Sequence, residues 1–278
     1  MLVLGGDHVN DGIKEYKENN YRKLREHFSE VNYLPINGNH DDNSIWDRFV
    51  KNEKSVNHIT TQELHSLFFD HINTESGKDG LYYFVDDNCK KVRYIIIDPY
   101  DLPEKYDENG KLVYLKQDDY ALSQEQVNWL CNKALKFDEE GWGIVFISHF
   151  LPYPDKHTDE GREVDYVNEI IGSYKKGVNI CKILGEDDLK IKIDADFSDY
   201  KRANILAVLM GHTHEDILLF DDAKTPFIYR ANAMMYDTAQ NKRTDGTATE
   251  LLFDVVTMDI KTGNIYIDRV GAGENLYI

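Results

Sequence analysis

Two histidines separated by one residue, His212 and His214, follow a short apolar run. That run, residues 205–210, predicts a buried strand, and the histidines stand where the strand gives way to a loop. Loops at strand ends are where α/β proteins place their chemistry. Because an imidazole can bind a metal ion or transfer a proton, this pair indicates a reactive site.

Three further groups of polar residues stand in the same position relative to predicted strands, directly after residues 2–4, 33–36 and 144–147. In chain order they contain Asp7, then Asn39, His40 and Asp41, then His149. Four strand ends therefore deliver Asp, Asn and His. These side chains suit dications such as Mn²⁺, Zn²⁺ or Fe, and one spare histidine remains for proton transfer.

The residue types also assign roles within such a site. A carboxylate can bridge two metal ions, which an imidazole does not, and Asp7 is the best candidate bridge at a strand end. In a two-metal site about 3.5–4 Å wide, a bridging hydroxide attacks phosphorus while both ions stabilise the developing charge. An imidazole that binds no metal can protonate the leaving oxygen.

Each residue also has a structural interpretation. Asp7 can form an Asx turn, Asn39 and His40 can form a Gly-Asn turn, and a single histidine such as His149 is usually a surface or core residue. Asp41 is expected to support its loop rather than bind metal. The roles of His8, Asn10 and Asp11 stay open, and the histidines outside the clusters indicate no site.

The composition bounds the class of protein. The chain has 278 residues and a net charge of −18, which argues against non-specific binding to nucleic-acid backbones but not against a phosphorylated substrate. The sequence contains no run of about 18 apolar residues for a membrane span and no secretory signal. Three scattered cysteines indicate free thiols in a reducing compartment, so we expect a cytoplasmic protein.

The remaining pattern places these motifs on alternating elements. Helices are predicted over residues 13–30 and 44–72 and around 163–184. A further helix is predicted to begin after Ser123, which can form a capping box with Gln126. Residues 81–85 and 92–97 predict an antiparallel pair of strands. Residues 101–120 predict an irregular surface excursion. Further strands are predicted at 217–220, 227–229, 250–258 and 265–267. This order predicts a single α/β domain over 1–278, with a core over 1–220, a β-rich part over 221–278, and two sheets packed face to face with helices outside.

Taken in order, the motifs resemble those of the calcineurin-like metallophosphoesterase family. The matching segments are Gly6-Asp7, Gly38-Asn39-His40-Asp41, His149 and Gly211-His212-Thr213-His214. Each is common alone, but the combination is specific and spans residues 1 to about 220. Residues 122–130 are similar to the helix that this family places before its histidine strand. The tail, 250–273, is similar to metallophosphoesterase domains of phage or prophage structural proteins.

The resemblance implies a four-layer α/β/β/α sandwich with two divalent metal ions, Mn, Fe or Zn, and a phosphomonoester or phosphodiester substrate. It implies that Asp7 bridges both ions and that His40 is the general acid or a transition-state stabiliser. The other implied ligands are Asn39, His149 and His212 on the second metal and His214 on the first.

Two departures from the family pattern stand out. The family opens with D-x-H on a first strand, whereas this sequence has no such motif before Asp7. We therefore expect a chain that lacks its first strand, with Met1 as an internal methionine of a truncated reading frame. At Asn10, several phosphatases of the family carry an Asp that orients the catalytic histidine, and here Asp11 can substitute.

Two hypotheses follow. The first is a metal-dependent phosphoesterase with a dinuclear centre. The second, motivated by the missing motif and by Asn10, is a non-catalytic structural module, for example a phage-associated domain, that retains one metal site. The substrate, the identity of the metal and the oligomeric state are beyond the sequence.

Overall fold

A central mixed sheet organises the molecule in a computed structural model that describes residues 1–48, 54–72, 75–76, 80–152, 166–231 and 242–278. The strands are β1 (Leu2–Leu4), β2 (Tyr33–Pro35), β3 (Glu75–Ser76), β4 (Tyr83–Asp87), β5 (Val92–Ile97), β6 (Gly143–Ser148), β7 (Asn179–Leu184), β8 (Ile191–Asp196), β9 (Asn204–Met210), β10 (Ile217–Phe220), β11 (Pro226–Tyr229), β12 (Leu252–Met258), β13 (Ile265–Gly271) and β14 (Leu276–Tyr277). The central sheet has the order β10-β11-β9-β6-β5-β4-β3.

Among the described residues the α-helices are fewer than the strands. They are α1 (Lys14–His27), α2 (Thr61–Leu64), α3 (Gln124–Trp129) and α4 (Tyr166–Lys176). π-helical turns continue α2 over His65–Phe69 and α3 over Leu130–Ala134, and 3₁₀ turns occur at Ser44–Arg48, Asp187–Leu189 and Ala248–Glu250. Within the described ranges, no helix combines the length and apolar character needed to cross a membrane. The α/β class predicted from the sequence is confirmed.

The middle of the central sheet is parallel, which sets the position of the site. Strand β6 pairs in parallel with β5 and β9, and β9 pairs in parallel with β11. Their carboxyl ends therefore lie at one edge, where parallel sheets place binding sites. Their sequences are almost wholly apolar because both faces of the sheet are covered.

The two faces of the central sheet are buried by different elements. One face packs against α3, α4 and the β7–β8 hairpin, in a cluster that includes Trp129, Ile170 and Ile193. The other face packs against two smaller sheets, β1–β2 and β12-β13-β14. On the far side of β1–β2, Tyr33 contacts Phe68 beside α1 and α2.

Two predicted helices differ from the observed elements. Residues 49–53 of the predicted helix 44–72 lie outside the described residues. The rest of the range contains a 3₁₀ turn and a separate helix, because a capping box starts α2: Thr60 accepts a hydrogen bond from the Glu63 amide, and the Glu63 carboxylate accepts one from the Thr60 amide. The predicted helical region 163–184 was wrong at its end. Helix α4 stops before Gly177, at φ 63°, and β7 follows. The missed signal is the alternation of β8, in which Ile191, Ile193 and Ala195 are buried.

The predicted surface excursion, 101–120, is irregular but anchored. The buried Lys116 ammonium lies 3.3 Å from the Asp42 carboxylate, and Tyr106 is within 2.9 Å of His58 Nδ1. This loop therefore packs beside the segment that follows β2. The antiparallel pair β4–β5 is confirmed. Half of the predicted capping box is present: Ser123 accepts a hydrogen bond from the Gln126 amide, but the Ser123 amide donates to Asp101 and the Gln126 side chain bonds to the backbone of Asp98.

Candidate metal site

Four loops meet at the carboxyl edge of the sheets. They follow β1, β2, β6 and β9, and backbone hydrogen bonds join them in pairs. The Ile36 amide donates to Leu4, 3.0 Å away, and the Gly211 amide donates to the carbonyl of His149, 3.1 Å away. A further hydrogen bond joins the loops after β1 and β2: the His40 amide donates to Asp7 Oδ1 at 2.9 Å.

Four side-chain atoms converge where these loops meet. His149 Nε2 lies 3.3 Å from Asp7 Oδ2, 3.1 Å from Asn39 Oδ1 and 3.2 Å from His212 Nδ1. Asn39 Oδ1 is also 3.0 Å from His212 Nδ1. Asn39 and His149 are buried, whereas Asp7 and His212 are partly accessible. These four residues were all predicted as metal ligands from the sequence, and the structure brings them together.

The orientation of His149 makes this convergence informative. Its Nδ1 lies 2.7 Å from the carbonyl oxygen of Gly5, which can only accept, so Nδ1 carries the proton. In the neutral ring Nε2 then presents a lone pair toward the oxygen atoms of Asp7 and Asn39. Three acceptors facing one another are unfavourable unless a proton or a cation lies between them. A backbone carbonyl that fixes the outer nitrogen is the usual support of a metal-binding imidazole.

The donor set fits a divalent ion. A tetrahedral ion with bonds of about 2.0–2.1 Å holds its ligand atoms about 3.3–3.4 Å apart, and the observed separations of 3.0–3.3 Å are close to this. Within the part of the chain that the structure describes, Asp7, His149 and His212 form the one group of three or more His, Cys, Asp or Glu whose potential ligand atoms all lie within 4.8 Å of one another. Asn39 Oδ1 lies close enough to His149 Nε2 and His212 Nδ1 to be a fourth ligand atom.

The protonation states of His212 and Asp7 suit metal ligands, whereas the charge on Asp7 raises the pKa of His149 against the opposing effect of burial. Burial lowers the pKa of His212 to about 4, and the neighbouring His149 acts in the same direction. His212 is therefore neutral near pH 7, which is the form that binds metal. Burial disfavours a charge on Asp7, but His149 and its hydrogen bonds outweigh that effect and lower the pKa of this carboxyl.

His214 lies beside this group rather than in it. It is partly buried, and burial lowers its pKa while the charge on Asp7 opposes that change. It does not belong to the close group within the described ranges. Of the two predicted metal positions, the second has four converging ligand atoms, and the first has Asp7 and His214 as its predicted ligands.

The backbone is strained at three of the predicted ligands. Asp7, His212 and His214 have φ angles of 55°, 61° and 56°, in the left-handed region that non-glycine residues rarely adopt. Such conformations cluster at functional sites, where surrounding contacts enforce them. Gly38 lies so close to Asp7 that a Cβ atom would stand 2.3 Å from the Asp7 amide nitrogen.

Asp41 joins the first two loops, although it contributes no converging atom. Its carboxylate accepts hydrogen bonds from the amides of Asp7, His8 and Gly38 at 2.7–3.0 Å, and from the Tyr21 hydroxyl at 2.5 Å. Burial favours the neutral acid, but His8 and the other partners outweigh this, so the pKa of Asp41 lies far below its ordinary value. The sequence-based expectation that it supports the loop agrees with these contacts.

His40 points to a different partner from the metal ligands. Its Nδ1 lies 2.6 Å from Asp11 Oδ2, and its side chain is 37% exposed. The hydrogen bond with Asp11 raises the pKa of His40 against the opposing effect of burial. Asn10 is exposed. The sequence did not determine whether Asn10 or Asp11 contacts His40. In the structure Asp11 makes this contact.

Sequence reasoning missed Lys17, which lies under these loops. Its ammonium donates to the carbonyl oxygens of Val9 and His40, at 2.8 and 2.5 Å, and lies 3.7 Å from Asp11 Oδ1. Burial lowers its pKa, while the surrounding carboxylates oppose that change. A signal was present: Lys17 precedes Tyr21 by four residues and so shares its buried helix face.

Sequence reasoning also missed Asp98, which directly follows β5, because an Asp-Pro pair after an apolar run indicates only the end of a strand. Its buried carboxylate accepts from Asn37 Nδ2 at 2.9 Å and from the Tyr100 amide at 3.0 Å. Burial raises the pKa of Asp98 to about 6, although Lys116 acts in the opposite direction. It ties the loop after β2 to the central sheet.

Comparison with solved structures adds one line of support. A dimetal phosphatase from Danio rerio superposes with a TM-score of 0.59, covering 99% of this chain and 82% of that chain, at 13% sequence identity. The two proteins share a fold. No protein-family model and no curated protein matches the sequence.

Proposed function

We propose that this protein is a metal-dependent hydrolase of phosphoesters. The observation that carries the proposal is the convergence of Asp7 Oδ2, Asn39 Oδ1, His149 Nε2 and His212 Nδ1 within about one coordination sphere. The fold shared with a dimetal phosphatase supports it. Fold alone does not determine function, so the site residues are the main argument.

Two divalent ions are proposed, with Asp7 between them. Asn39, His149 and His212 would complete one position, and His214 would bind at the other. When bound, such ions activate water and stabilise negative charge on the phosphoryl group. The protein orients and prepares the ligands: Gly5 fixes the tautomer of His149, burial keeps His212 unprotonated, and the lowered pKa keeps Asp7 ionised.

His40 is the proposed proton donor to the leaving oxygen. It is accessible and held through Nδ1 by Asp11, so that Nε2 is left for the substrate. The raised pKa keeps the imidazole protonated at higher pH than an isolated histidine. Asp11 is the positioning residue in this pair.

A second candidate function is a metal-binding module without catalysis, for example a phage-associated structural domain. The observation that favours it is that His214 lies outside the close group, so that four ligand atoms converge at one position only within the described ranges. A single ion bound by four protein atoms is typical of a structural site, because no position is left open for water or substrate.

Metal content and turnover, measured together, test the proposal. The chain, purified without chelator, is analysed by metal mass spectrometry and assayed with p-nitrophenyl phosphate and bis(p-nitrophenyl) phosphate in Mn²⁺. His212→Ala removes a ligand, and His27→Ala, an exposed histidine at the end of α1, is the matched control.

The outcomes separate the two functions. About two ions per chain and turnover, both lost in His212→Ala and retained in His27→Ala, support the phosphoesterase. About one ion with no turnover of either ester supports the module and contradicts catalysis. A metal content that is the same in both variants and the parent chain rules out the site itself.

A further inference from the structure

Two buried arginines and two aspartates lie behind the loop that carries His212 and His214. Arg269 Nε and Nη2 lie 2.7 and 3.2 Å from the Asp254 carboxylate, and Arg230 Nε lies 2.9 Å from it. Asp216 lies 3.0 Å from Arg269 and 3.4 Å from Arg230. The Arg269 and Asp254 side chains are 1% and 5% exposed. We call these four residues the arginine–aspartate cluster.

The cluster connects the histidine loop to the C-terminal sheet. Asp254 lies on β12 and Arg269 on β13, whereas Asp216 ends the loop that begins at Gly211. Asp216 also accepts a hydrogen bond from the Ala231 amide at 3.0 Å. The loop is therefore fixed at its far end by a charged residue that comes two positions after His214.

Arg230 holds both ends of the same loop. Its amide donates to the carbonyl of Met210, 2.9 Å away, at the end of β9. Its guanidinium lies 3.4 Å from Asp216, and it also donates to Asp254 and to the Glu274 carbonyl. A planar guanidinium group that makes two or more hydrogen bonds fixes the relative orientation of its partners as well as balancing their charge.

The loop between these two ends needs such restraint. His212 and His214 both have positive φ angles, 61° and 56°. Left-handed backbone at residues with a side chain costs free energy and persists where the surroundings impose it. A buried, charge-balanced network also strongly disfavours any rearrangement that separates its partners, because an unpaired buried charge is costly.

We propose that the arginine–aspartate cluster is a positioning device for the metal site, with Asp216 as the residue that holds His212 and His214 in their ligating orientation. This inference rests on the proposed function. It gives the C-terminal sheet, which contributes no ligand, a role in metal affinity. Residues that orient metal ligands typically change affinity 10- to 100-fold when they are replaced.

Asp216→Asn tests the proposal. The amide retains an oxygen for the Ala231 amide but loses the charge that pairs with both arginines. Affinity for Co²⁺ is measured by titration, with the visible absorption of bound Co²⁺ as a reporter of ligand geometry. We expect binding about 10- to 100-fold weaker and an altered absorption spectrum. Asp216→Glu, which keeps the charge, should recover part of the affinity.

The matched control is Asp86→Asn. Asp86 pairs with Arg93 through two contacts, 2.7 and 2.8 Å, on the β4–β5 hairpin outside the four site loops. This variant loses a similar arginine pair, so it should lower stability while leaving Co²⁺ affinity and spectrum unchanged. A general effect of lost stability would instead weaken binding in both variants, and that result would overturn the inference.

Other outcomes are equally decisive. Unchanged Co²⁺ affinity and spectrum in folded Asp216→Asn would overturn the inference while leaving the proposed function intact. If parent chain and His212→Ala bind Co²⁺ equally, the metal site and this inference fail together. Should Asp216→Asn not fold, judged by circular dichroism, Arg269→Lys keeps the charge but loses the planar contacts. Unchanged affinity there would also contradict the proposal.

Discussion

At the scale of single residues, the contact between His40 and Asp11 carries the proposed proton transfer. We expect Asp11→Asn to lower kcat about 10-fold or more, because the amide holds the imidazole but no longer stabilises its charge. His40→Gln removes the acid itself and should lower kcat roughly 10²–10⁴-fold. Both are measured by steady-state hydrolysis of p-nitrophenyl esters, with metal content checked in each variant.

Asn10 supplies the control for this prediction. It directly precedes Asp11 and is exposed, so Asn10→Ala should leave kcat and metal content unchanged. If Asn10→Ala reduces kcat as strongly as Asp11→Asn, the loss is not specific to the contact between Asp11 and His40, and the prediction is contradicted.

Asp98 makes stability depend on pH in a direction opposite to that of most carboxylates. Its folded-state pKa, about 6, lies above the ordinary value of 3.8, so folding favours the neutral acid. Its contribution is therefore full below about pH 4 and declines as pH rises to about 6. Asp98→Asn stays neutral, and its free energy of unfolding relative to the parent chain should rise by at most about 3 kcal/mol over this range.

Urea unfolding at pH 4 and pH 7 measures this difference for both proteins. Lys116→Met is an informative partner, because Lys116 lowers the pKa of Asp98 and its loss should enlarge the effect. A difference between Asp98→Asn and the parent chain that does not change with pH would contradict the prediction.

At the scale of elements, the ends of β1 and β2 are held together by a close backbone approach at Gly38. A Cβ atom there would lie 2.3 Å from both the amide nitrogen and Oδ1 of Asp7. Gly38→Ala should therefore displace Asp7 and abolish tight metal binding. Isothermal titration with Mn²⁺ measures the loss.

Gly172 provides a comparison within α4. A Cβ atom at Gly172 would meet no other atom within 4 Å, and alanine favours a helix over glycine by about 1 kcal/mol. Gly172→Ala should raise the unfolding midpoint and leave Mn²⁺ binding unchanged. Loss of binding in both variants would mean that Gly38 has no special role.

The same elements show what the sequence can and cannot predict. The strand ends that carry Asp7, Asn39, His149 and His212 were predictable, because a short apolar run followed by polar residues is a local pattern. The β7–β8 hairpin was missed because the alternation in β8 follows a segment rich in lysine and acidic residues that also fits a helix.

Contacts between distant segments were the harder part. The pairing of Asp11 with His40 and the hydrogen bonds that Asp41 accepts from the amides of Asp7 and His8 depend on how two loops approach each other. Lys17 was overlooked because a lysine in an apolar helix face is usually a surface residue. The neighbouring Tyr16, an aromatic residue on the same helix, is instead exposed.

At the scale of the whole molecule, metal binding should contribute to stability. The chain carries a net charge of −18, so divalent ions also interact with its surface in a general way. Binding specific to the folded state adds about 2.7 kcal/mol when free Mn²⁺ exceeds the dissociation constant 100-fold. We expect a matching rise in the unfolding midpoint, reversed by a chelator.

His212→Ala separates the two effects, because it removes a ligand without changing the net charge near neutral pH. The unfolding midpoint of this variant should rise with Mn²⁺ only by the amount that general screening of the acidic surface produces. An equal response in both proteins, measured by calorimetry, would assign all the stabilisation to the acidic surface.

The left-handed backbone at Asp7, His212 and His214 has a consequence for selection. Glycine or asparagine at His214 would relax this backbone, so a library screened for heat resistance in the presence of a chelator should accumulate such replacements. The same library screened with Mn²⁺ should retain the histidine. Heat resistance and metal affinity would then be competing properties at this position. Selection for stability alone would favour variants that bind metal less well.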